Sequence, residues 1–299
     1  MYTLTVPTMI NGRTFRKEKT LAALQRVGAD RVALALQEEH GYAFSSPATR
    51  KLLGELTDYF ESHGIDVIAW GNSLGHDGSP TAERGKYTPL RCFGKGDTRA
   101  FCPLDPDLIR DLCTWVKNVA AVGVKTILLD DDLRLGYRGG LGCLCPRHRQ
   151  KLAAALGEDL PEDELYRRIF SGGENPTRTT WLRVQGESME ALAAALRAAL
   201  DEVAPEVRLG FCASPGAWGN EGWYAPRLAR ILAGNTRPLL RTIGAPYWCT
   251  HWQGMTPGKV VEIQRRQLAE MKKYPDIEVM TEGDTYPRPR RECPAAYLE

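Results

Sequence analysis

The stretch DPDLIRDLCTWVKNVAAVGVKTILLDDD, residues 105–132, contains the unit from which we derive the fold. It opens with Asp-Pro, a common helix start, and runs as a long helix to the glycine at position 123. A short apolar run, KTILL, follows and ends in three consecutive aspartates. A helix that leads into a strand that is apolar on both faces is typical of a parallel sheet covered by helices.

The same alternation of apolar strand and helix recurs along the chain. Seven segments predict strands: 3–10, 30–37, 65–74, 125–132, 207–215, 238–247 and 276–284. No dinucleotide-binding G-x-G-x-x-G turn follows any of them, which favours a (β/α)₈ barrel over a doubly wound sheet. We therefore predict one α/β domain over residues 1–299, a TIM barrel that lacks its eighth β/α unit. We interpret it as the N-terminal catalytic part of a longer protein.

An incomplete barrel leaves unpaired strand edges, so we expect a further C-terminal segment or a second copy of the chain to cover the opening. The charge is balanced, with 39 basic and 37 acidic residues, and gives no reason to expect nucleic acid or an anionic membrane as a partner. No apolar run approaches the roughly 20 residues of a membrane span. The N-terminus does not resemble a signal peptide, and closely spaced cysteines suit a reducing compartment, so we predict a cytoplasmic protein.

Two of the predicted strands end in acidic residues. The fourth ends in Asp130, Asp131 and Asp132, and the seventh ends in MTEGD, with Glu282 and Asp284. Active sites of such barrels lie at the carboxyl ends of the strands, and strands four and seven face each other across the mouth. A facing pair of carboxyl groups suits glycosidic bond cleavage, with one as acid and the other as nucleophile or base. The alternative is that the aspartates cap a turn or bind a cation such as Mg²⁺.

A cluster of cysteine and histidine follows the fourth strand. Cys143, Cys145 and His148 form a C-x-C-x₂-H pattern, and Cys102, after the third strand, offers a fourth ligand. Three cysteines and one histidine make an accepted structural zinc set that is closed to substrate. Cys92 is a possible substitute ligand. The alternative is that the cysteines are buried thiols and that His148 lies on the surface of the following helix.

These segments resemble family 42 of the glycoside hydrolases, β-galactosidases of clan A. TRAFCPLDP, residues 98–106, and CLCPRH, residues 143–148, resemble the family's zinc site, with His148 in place of its last cysteine. The family's Asp-Asn-Glu at strand four falls on residues 130–132, which implies Asp132 as acid/base, and its strand-seven glutamate falls on Glu282, which implies the nucleophile. Asp131 replaces the family's asparagine, and Asp132 is one methylene shorter than glutamate, so the acid is assigned to Asp132 or Asp131.

Polar and aromatic residues in the loops after other strands are candidates for binding a carbohydrate substrate. Aromatic rings stack on the C–H faces of sugars, and amide and imidazole groups bond to their hydroxyls. The candidates are Asn72, His76, Trp218, Tyr247, Trp248, His251, Trp252 and Asp284.

Two other functions remain open on the sequence. One is a non-catalytic carbohydrate-binding barrel, which the change of Asn-Glu to Asp-Asp favours. The other is a divalent-metal aldolase or isomerase with Asp130–Asp132 as ligands, for which Glu38, Glu39 and His40 after the second strand would supply more donors.

Overall fold

The computed structural model of the chain describes residues 3–11, 14–36, 42–75, 85–136, 140–213, 221–243 and 257–281. Its strands are β1 (Thr5–Ile10), β2 (Arg31–Leu36), β3 (Asp66–Gly71), β4 (Pro89–Cys92), β5 (Gly96–Phe101), β6 (Thr126–Leu129), β7 (Arg208–Ala213), β8 (Leu239–Thr242) and β9 (Glu278–Thr281). Its helices are α1 (Lys17–Val27), α2 (Pro47–Glu61), α3 (Pro106–Ala120), α4 (Pro146–Leu156), α5 (Glu162–Phe170), α6 (Pro176–Asp201), α7 (Ala225–Ala233) and α8 (Pro257–Met271).

Seven of the strands form one sheet in the order β1-β2-β3-β6-β7-β8-β9, and every neighbouring pair is parallel. The sheet curls into a half-barrel with helices between successive strands, which confirms the predicted incomplete (β/α)₈ barrel; the described residues supply seven of its strands. Strands β4 and β5 form a separate antiparallel hairpin in the connection between β3 and α3, and the sequence did not predict it.

Helix α3 shows why its sequence folds as predicted. The Asp105 carboxylate accepts hydrogen bonds from the backbone N–H groups of Asp107 and Leu108, and Pro106 occupies the first turn. The buried face of the helix carries Trp115, whose ring lies against Gly71 at the end of β3; a Cβ atom there would stand 2.6 Å from the ring. This close contact sets the spacing between α3 and the end of β3.

Alternate residues along the strands build two separate apolar layers. The larger layer joins the outer face of the sheet to the helices and includes Ile127 and Leu129 of β6. A smaller cluster on the inner face contains Ala33, Ile68, Leu128 and Leu239, with Trp70 and Met280 packed against it. Because strand residues alternate between faces, the inner face continues from Leu128 to Asp130.

Charged residues close the inner face at the amino ends of the strands. Glu278, the first residue of β9, accepts hydrogen bonds from Arg31 at 2.6 Å and from Arg208 at 3.0 Å. Both arginines are the first residues of their strands. This ion cluster therefore lies at the end of the half-barrel opposite the carboxyl ends of the strands.

We expect Glu278→Gln to destabilise the protein at pH 7 by about 1–2 kcal/mol, because two partly buried arginines lose their counter-charge. Burial acts to raise the pKa of Glu278, but the hydrogen bonds and charges of Arg31 and Arg208 outweigh it and lower the pKa. The stabilisation by a carboxylate with a lowered pKa is present above its unfolded-state pKa and is lost as the pH falls through its folded-state value.

The measurement is urea unfolding of wild type and Glu278→Gln between pH 7 and pH 3. The wild-type advantage should be full above about pH 5 and shrink toward pH 3. A constant difference over the whole range would show that the charge of Glu278 is not the cause.

None of the helices in the described ranges combines the length and apolar character that crossing a bilayer requires.

Candidate functional site

The carboxyl ends of the strands carry a second ion pair on the inner face. An Nη2 atom of Arg241, on β8, lies 3.1 Å from Oδ1 of Asp130, the residue after β6. The Arg241 guanidinium also stands 4.8 Å from the ring centre of Trp70 on β3, and its Nε donates to the Cys212 sulfur on β7 at 3.1 Å. One arginine thus contacts side chains from three other strands and forms the floor of the barrel mouth.

The Asp130 carboxylate and Arg241 differ in their access to the mouth. The Arg241 side chain is 10% exposed, whereas that of Asp130 is 20% exposed. Below them lie Leu128 and Leu239, which are fully buried. The pair therefore sits on a buried apolar layer, with the carboxylate as its more accessible part.

Asp132 lies in a different environment from Asp130. It is only 2% exposed, and its two oxygens accept hydrogen bonds from the backbone N–H and the hydroxyl of Ser73 and from the backbone N–H of Gly75, at 2.7–2.9 Å. These are the contacts that an ionised carboxylate makes, and they join the β6 end to the loop after β3. The contacts also fix Asn72, the half-buried residue between β3 and Ser73.

Asp131 is the third member of the acidic run. Its side chain is 14% exposed, and Oδ2 lies 3.6 Å from the guanidinium of Arg134. The backbone is held in place next to it, because the N–H of Asp130 donates to the carbonyl of Gly71 at 2.8 Å. The three adjacent aspartates therefore have three different surroundings.

A buried glutamate supports the segment that follows these aspartates. Oε2 of Glu221 accepts hydrogen bonds from the backbone N–H of Leu135 at 2.5 Å and from the Trp223 indole at 3.0 Å. Burial raises the pKa of Glu221, although the hydrogen bonds act in the opposite direction. The other oxygen lies so close to Gly136 that a Cβ atom there would stand 2.2 Å from it. Glu221 thus ties the segment after β7 to the segment after β6.

Cys102, Cys143, Cys145 and His148 come together as predicted. All four are buried, and their ligand atoms lie within 4.8 Å of one another. Nδ1 of His148 is 3.2 Å from the Cys102 sulfur and 3.5 Å from the Cys145 sulfur, which is 3.4 Å from that of Cys102. Ligand atoms of a tetrahedral zinc site are separated by about 3.6–3.8 Å, so this donor set could hold a metal ion.

The surroundings orient the histidine for this role. Ser188 donates its hydroxyl hydrogen to the carbonyl of Gln185 at 2.7 Å and lies 3.0 Å from Nε2 of His148. Nε2 is therefore the protonated nitrogen of His148, and the Nδ1 lone pair points toward the three sulfurs, as in metal-binding histidines. The histidine is 1% exposed, which excludes the surface position considered above.

The three thiols cannot all ionise without a cation. Hydrogen bonding to Cys143 and Cys145, together with burial, raises the pKa of the Cys102 thiol, whereas hydrogen bonds from Cys102 and Cys143 lower that of Cys145. A bound divalent ion would stabilise all three thiolates, which is how metal binding releases protons from such a site. Cys92, the substitute ligand considered above, lies outside the cluster; its thiol is directed to the carbonyl of Leu135.

The other predicted site residues fall outside the described ranges. They are Glu282, Asp284, His76, Trp218, Tyr247, Trp248, His251 and Trp252. The residues suggested as extra metal donors, Glu38, Glu39 and His40, also fall outside them. Within the described residues, the donor atoms of the cysteine–histidine cluster lie close enough together to hold a metal ion, and the three aspartates form no such group.

Arg241 and the supporting contacts of Glu221 were not predicted. An arginine inside the apolar segment PLLRTIGAPY is the available signal for Arg241, because a charge in a buried strand needs a partner. The sequence does not say which partner, since Asp130 is 111 residues away. Glu221 gives no comparable signal, because it lies in a polar segment.

Solved structures that are similar to this chain include glycosidases. The chain aligns with a β-galactosidase from the psychrophilic Marinomonas ef1 over 83% of its own length and 41% of that chain, with 13% identity and a TM-score of 0.55. It aligns with the PgaB (BpsB) glycoside hydrolase domain from Bordetella bronchiseptica over 94% of both chains, with 14% identity and a TM-score of 0.54. A GH5_18 E153A protein from Streptomyces cattleya, in complex with Manb1-4GlcNAc, gives 14% identity and a TM-score of 0.52 over 99% of this chain and 79% of that one.

These similarities establish the fold and do not single out family 42, because the β-galactosidase is hardly more similar than the other two. The chain spans about two fifths of the β-galactosidase. No model of a known protein family matches the sequence, and no curated protein sequence matches it.

Proposed function

We propose that the protein is a glycoside hydrolase that cleaves an O-glycosidic bond with an aspartate at the end of β6 and with Glu282, which directly follows β9. The observation that carries this proposal is the position of the acidic run. Asp130, Asp131 and Asp132 follow a central strand at the carboxyl edge of a parallel half-barrel, the edge at which barrel enzymes hold their catalytic groups. The fold shared with several glycosidases supports it.

The surroundings of the aspartates favour Asp131 over Asp132 as the acid/base. A general acid needs an oxygen that faces the leaving group and can hold a proton. Both oxygens of Asp132 accept hydrogen bonds from the loop after β3, and the residue is 2% exposed. Asp131 retains 14% exposure of its side chain at the mouth end of β6. Asp132 then acts on the site by fixing the Asn72–Gly75 segment.

In this mechanism Asp131 protonates the glycosidic oxygen as the bond to the leaving group breaks. Glu282 either attacks the anomeric carbon, forming a glycosyl-enzyme that water then hydrolyses with Asp131 as base, or takes a proton from the water molecule that attacks the anomeric carbon directly. The distance between the two carboxyl groups determines the stereochemical outcome: about 5 Å for retention and about 6.5–9.5 Å for inversion. Asn72 lies beside this site and bonds to sugar hydroxyls in the proposal. His76, Trp218, Tyr247, Trp248, His251, Trp252 and Asp284 are proposed as further sugar contacts on the strength of their sequence positions.

The cysteine–histidine cluster is proposed as a structural zinc site. Cys102, Cys143, Cys145 and His148 would fill all four positions of a tetrahedral ion, so the ion would supply no open coordination site for catalysis. Its effect is mechanical. It joins the segment after β5 to the start of α4, downstream of the acidic run in the sequence.

The test is hydrolysis of a panel of 4-methylumbelliferyl glycosides and of β-linked oligosaccharides by the purified chain. We expect Asp131→Asn and Glu282→Gln each to lower kcat/KM by about 10²–10⁴-fold on any substrate that wild type cleaves. Glu187→Gln, which changes an exposed carboxylate on α6, is the matched control and should retain full activity. Equal activity of Asp131→Asn and wild type would contradict the assignment of the acid.

A non-catalytic carbohydrate-binding barrel is the second candidate. The observation that favours it is the burial of Asp132 at the position where the resemblance implies the acid. Isothermal titration with the same oligosaccharides separates the two functions. Binding without turnover at any pH between 4 and 8 would support the binding protein and contradict the hydrolase.

A further inference from the structure

We propose that Arg241 is a positioning residue that holds Asp130 ionised at the floor of the mouth, where the Asp130 carboxylate accepts hydrogen bonds from hydroxyl or amino groups of the bound sugar. This inference rests on the proposed carbohydrate site. It adds a substrate class: a neutral or amino sugar and not a uronic acid.

The geometry of Arg241 fits a residue that sets the position of another group. Its side chain starts on β8, passes Cys212 on β7 and reaches Asp130 beyond the end of β6. Contacts with Cys212 on β7 and with the Trp70 ring on β3 fix the guanidinium. Asp130 therefore meets a hydrogen-bond donor whose position is set before any sugar binds. A preorganised partner reduces the entropy that ligand binding costs.

The electrostatics at Asp130 favour its ionised form. Among the described residues, Arg241 from β8 is the cation paired with Asp130, and Asp131 and Asp132 follow on its own segment. Around the guanidinium itself lie the Cys212 thiol from β7 and the uncharged Trp70 ring from β3. The guanidinium is almost always charged and lies over an apolar layer, where its attraction for a carboxylate is less screened than in water. Arg241 in turn requires a nearby negative charge, because an unpaired buried guanidinium is costly.

The charges in this region determine which sugars fit. Asp132 is 2% exposed, and the Asp131 side chain is 14% exposed, so the Asp130 carboxylate, at 20%, is the most accessible of the three acids to a bound sugar. Hydroxyl and ammonium groups donate hydrogen bonds to carboxylates, whereas the carboxylate of a uronic acid would be repelled. This argues for neutral and amino sugars.

The other end of the half-barrel offers a matched comparison. Glu278 with Arg31 and Arg208 is also a partly buried ion cluster on the inner face, but it lies at the amino ends of the strands. Loss of either cluster should reduce stability. Only loss of the Asp130–Arg241 pair should change sugar binding.

The experiment measures binding of 1-deoxynojirimycin, 1-deoxygalactonojirimycin and glucuronic acid by titration calorimetry from pH 4.5 to pH 8. The variants are Arg241→Lys, Arg241→Gln, Asp130→Asn, the double variant Asp130→Asn/Arg241→Gln, and Arg208→Gln as the control. We expect wild type to bind at least one iminosugar and not glucuronic acid. Arg241→Gln should bind about 10-fold or more weakly at pH 5, and the acid limb of its binding profile should move to higher pH.

Arg241→Lys should restore part of the affinity, because it keeps the charge without the fork geometry. The double variant should recover stability but not binding, and Arg208→Gln should lose stability but not binding. Three results would overturn the inference: no iminosugar bound by wild type, an unchanged pH profile in Arg241→Gln, or wild-type affinity in the double variant. Sugar binding that depends on Arg241 but is not followed by hydrolysis would reject the proposed hydrolase and leave this inference standing. Hydrolysis that does not depend on Arg241 would support the hydrolase and reject this inference.

Discussion

Cys145→Ser is expected to abolish metal binding and to destabilise the protein by about 3 kcal/mol or more. Cys145 is both a member of the cluster and the residue immediately before α4, so its loss releases the segment after β5 from α4 and α6. Structural zinc sites contribute most of the folding free energy of some small domains. A larger domain retains its main core and should lose less, but the two remaining thiols and the histidine would be left buried without a bound ion.

Metal content by mass spectrometry and urea unfolding with and without a strong chelator measure this effect. Wild type should contain about one zinc ion per chain and lose stability with the chelator, whereas Cys145→Ser should contain none and not respond to it. Cys113→Ser is the control, because Cys113 is a half-buried cysteine on α3 outside the cluster. A wild-type protein that binds no zinc and is indifferent to the chelator would exclude the structural zinc site.

The half-barrel was predictable because mainly apolar runs alternate with helices along the sequence, a pattern typical of parallel strands covered by helices. The β4–β5 hairpin was not. Its strands are short and polar, and tertiary contacts hold it: Thr88 donates to the Asp105 carboxylate, and Phe93 pairs with Leu141 across 48 residues of sequence. Such contacts have no local pattern.

The candidate site was likewise predictable from the sequence only in part. The spacing of Cys143, Cys145 and His148 predicted the cluster, because ligands close in sequence and a loop from the neighbouring strand meet at the barrel edge. The separate surroundings of the three aspartates could not be predicted. They depend on Ser73 and Gly75, more than 55 residues away, and on Arg241, 111 residues away.

Gly222→Ala is expected to destabilise the protein by about 3–5 kcal/mol and to loosen the segment that supports the acidic run. A Cβ atom at position 222 would stand 1.8 Å from the carbonyl oxygen of Leu182 on α6, and the φ angle of +80° disfavours any side chain. The Leu182 backbone is fixed within α6. The Gly222 backbone follows Glu221, and moving it would break the hydrogen bonds that Leu135 and Trp223 donate to the Glu221 carboxylate.

Two further substitutions separate the causes. Gly157→Ala has a similar φ angle of +76° but no atom within 4 Å, so it should cost only about 1 kcal/mol. Gly186→Ala lies inside α6, where alanine is intrinsically better by about 1 kcal/mol, but its Cβ would stand 2.0 Å from the carbonyl oxygen of Gly222. It should therefore also destabilise, against its helix propensity. If urea unfolding shows that Gly222→Ala costs no more than Gly157→Ala, or that Gly186→Ala is stabilising, the direct backbone contact between α6 and the Glu221 segment is wrong.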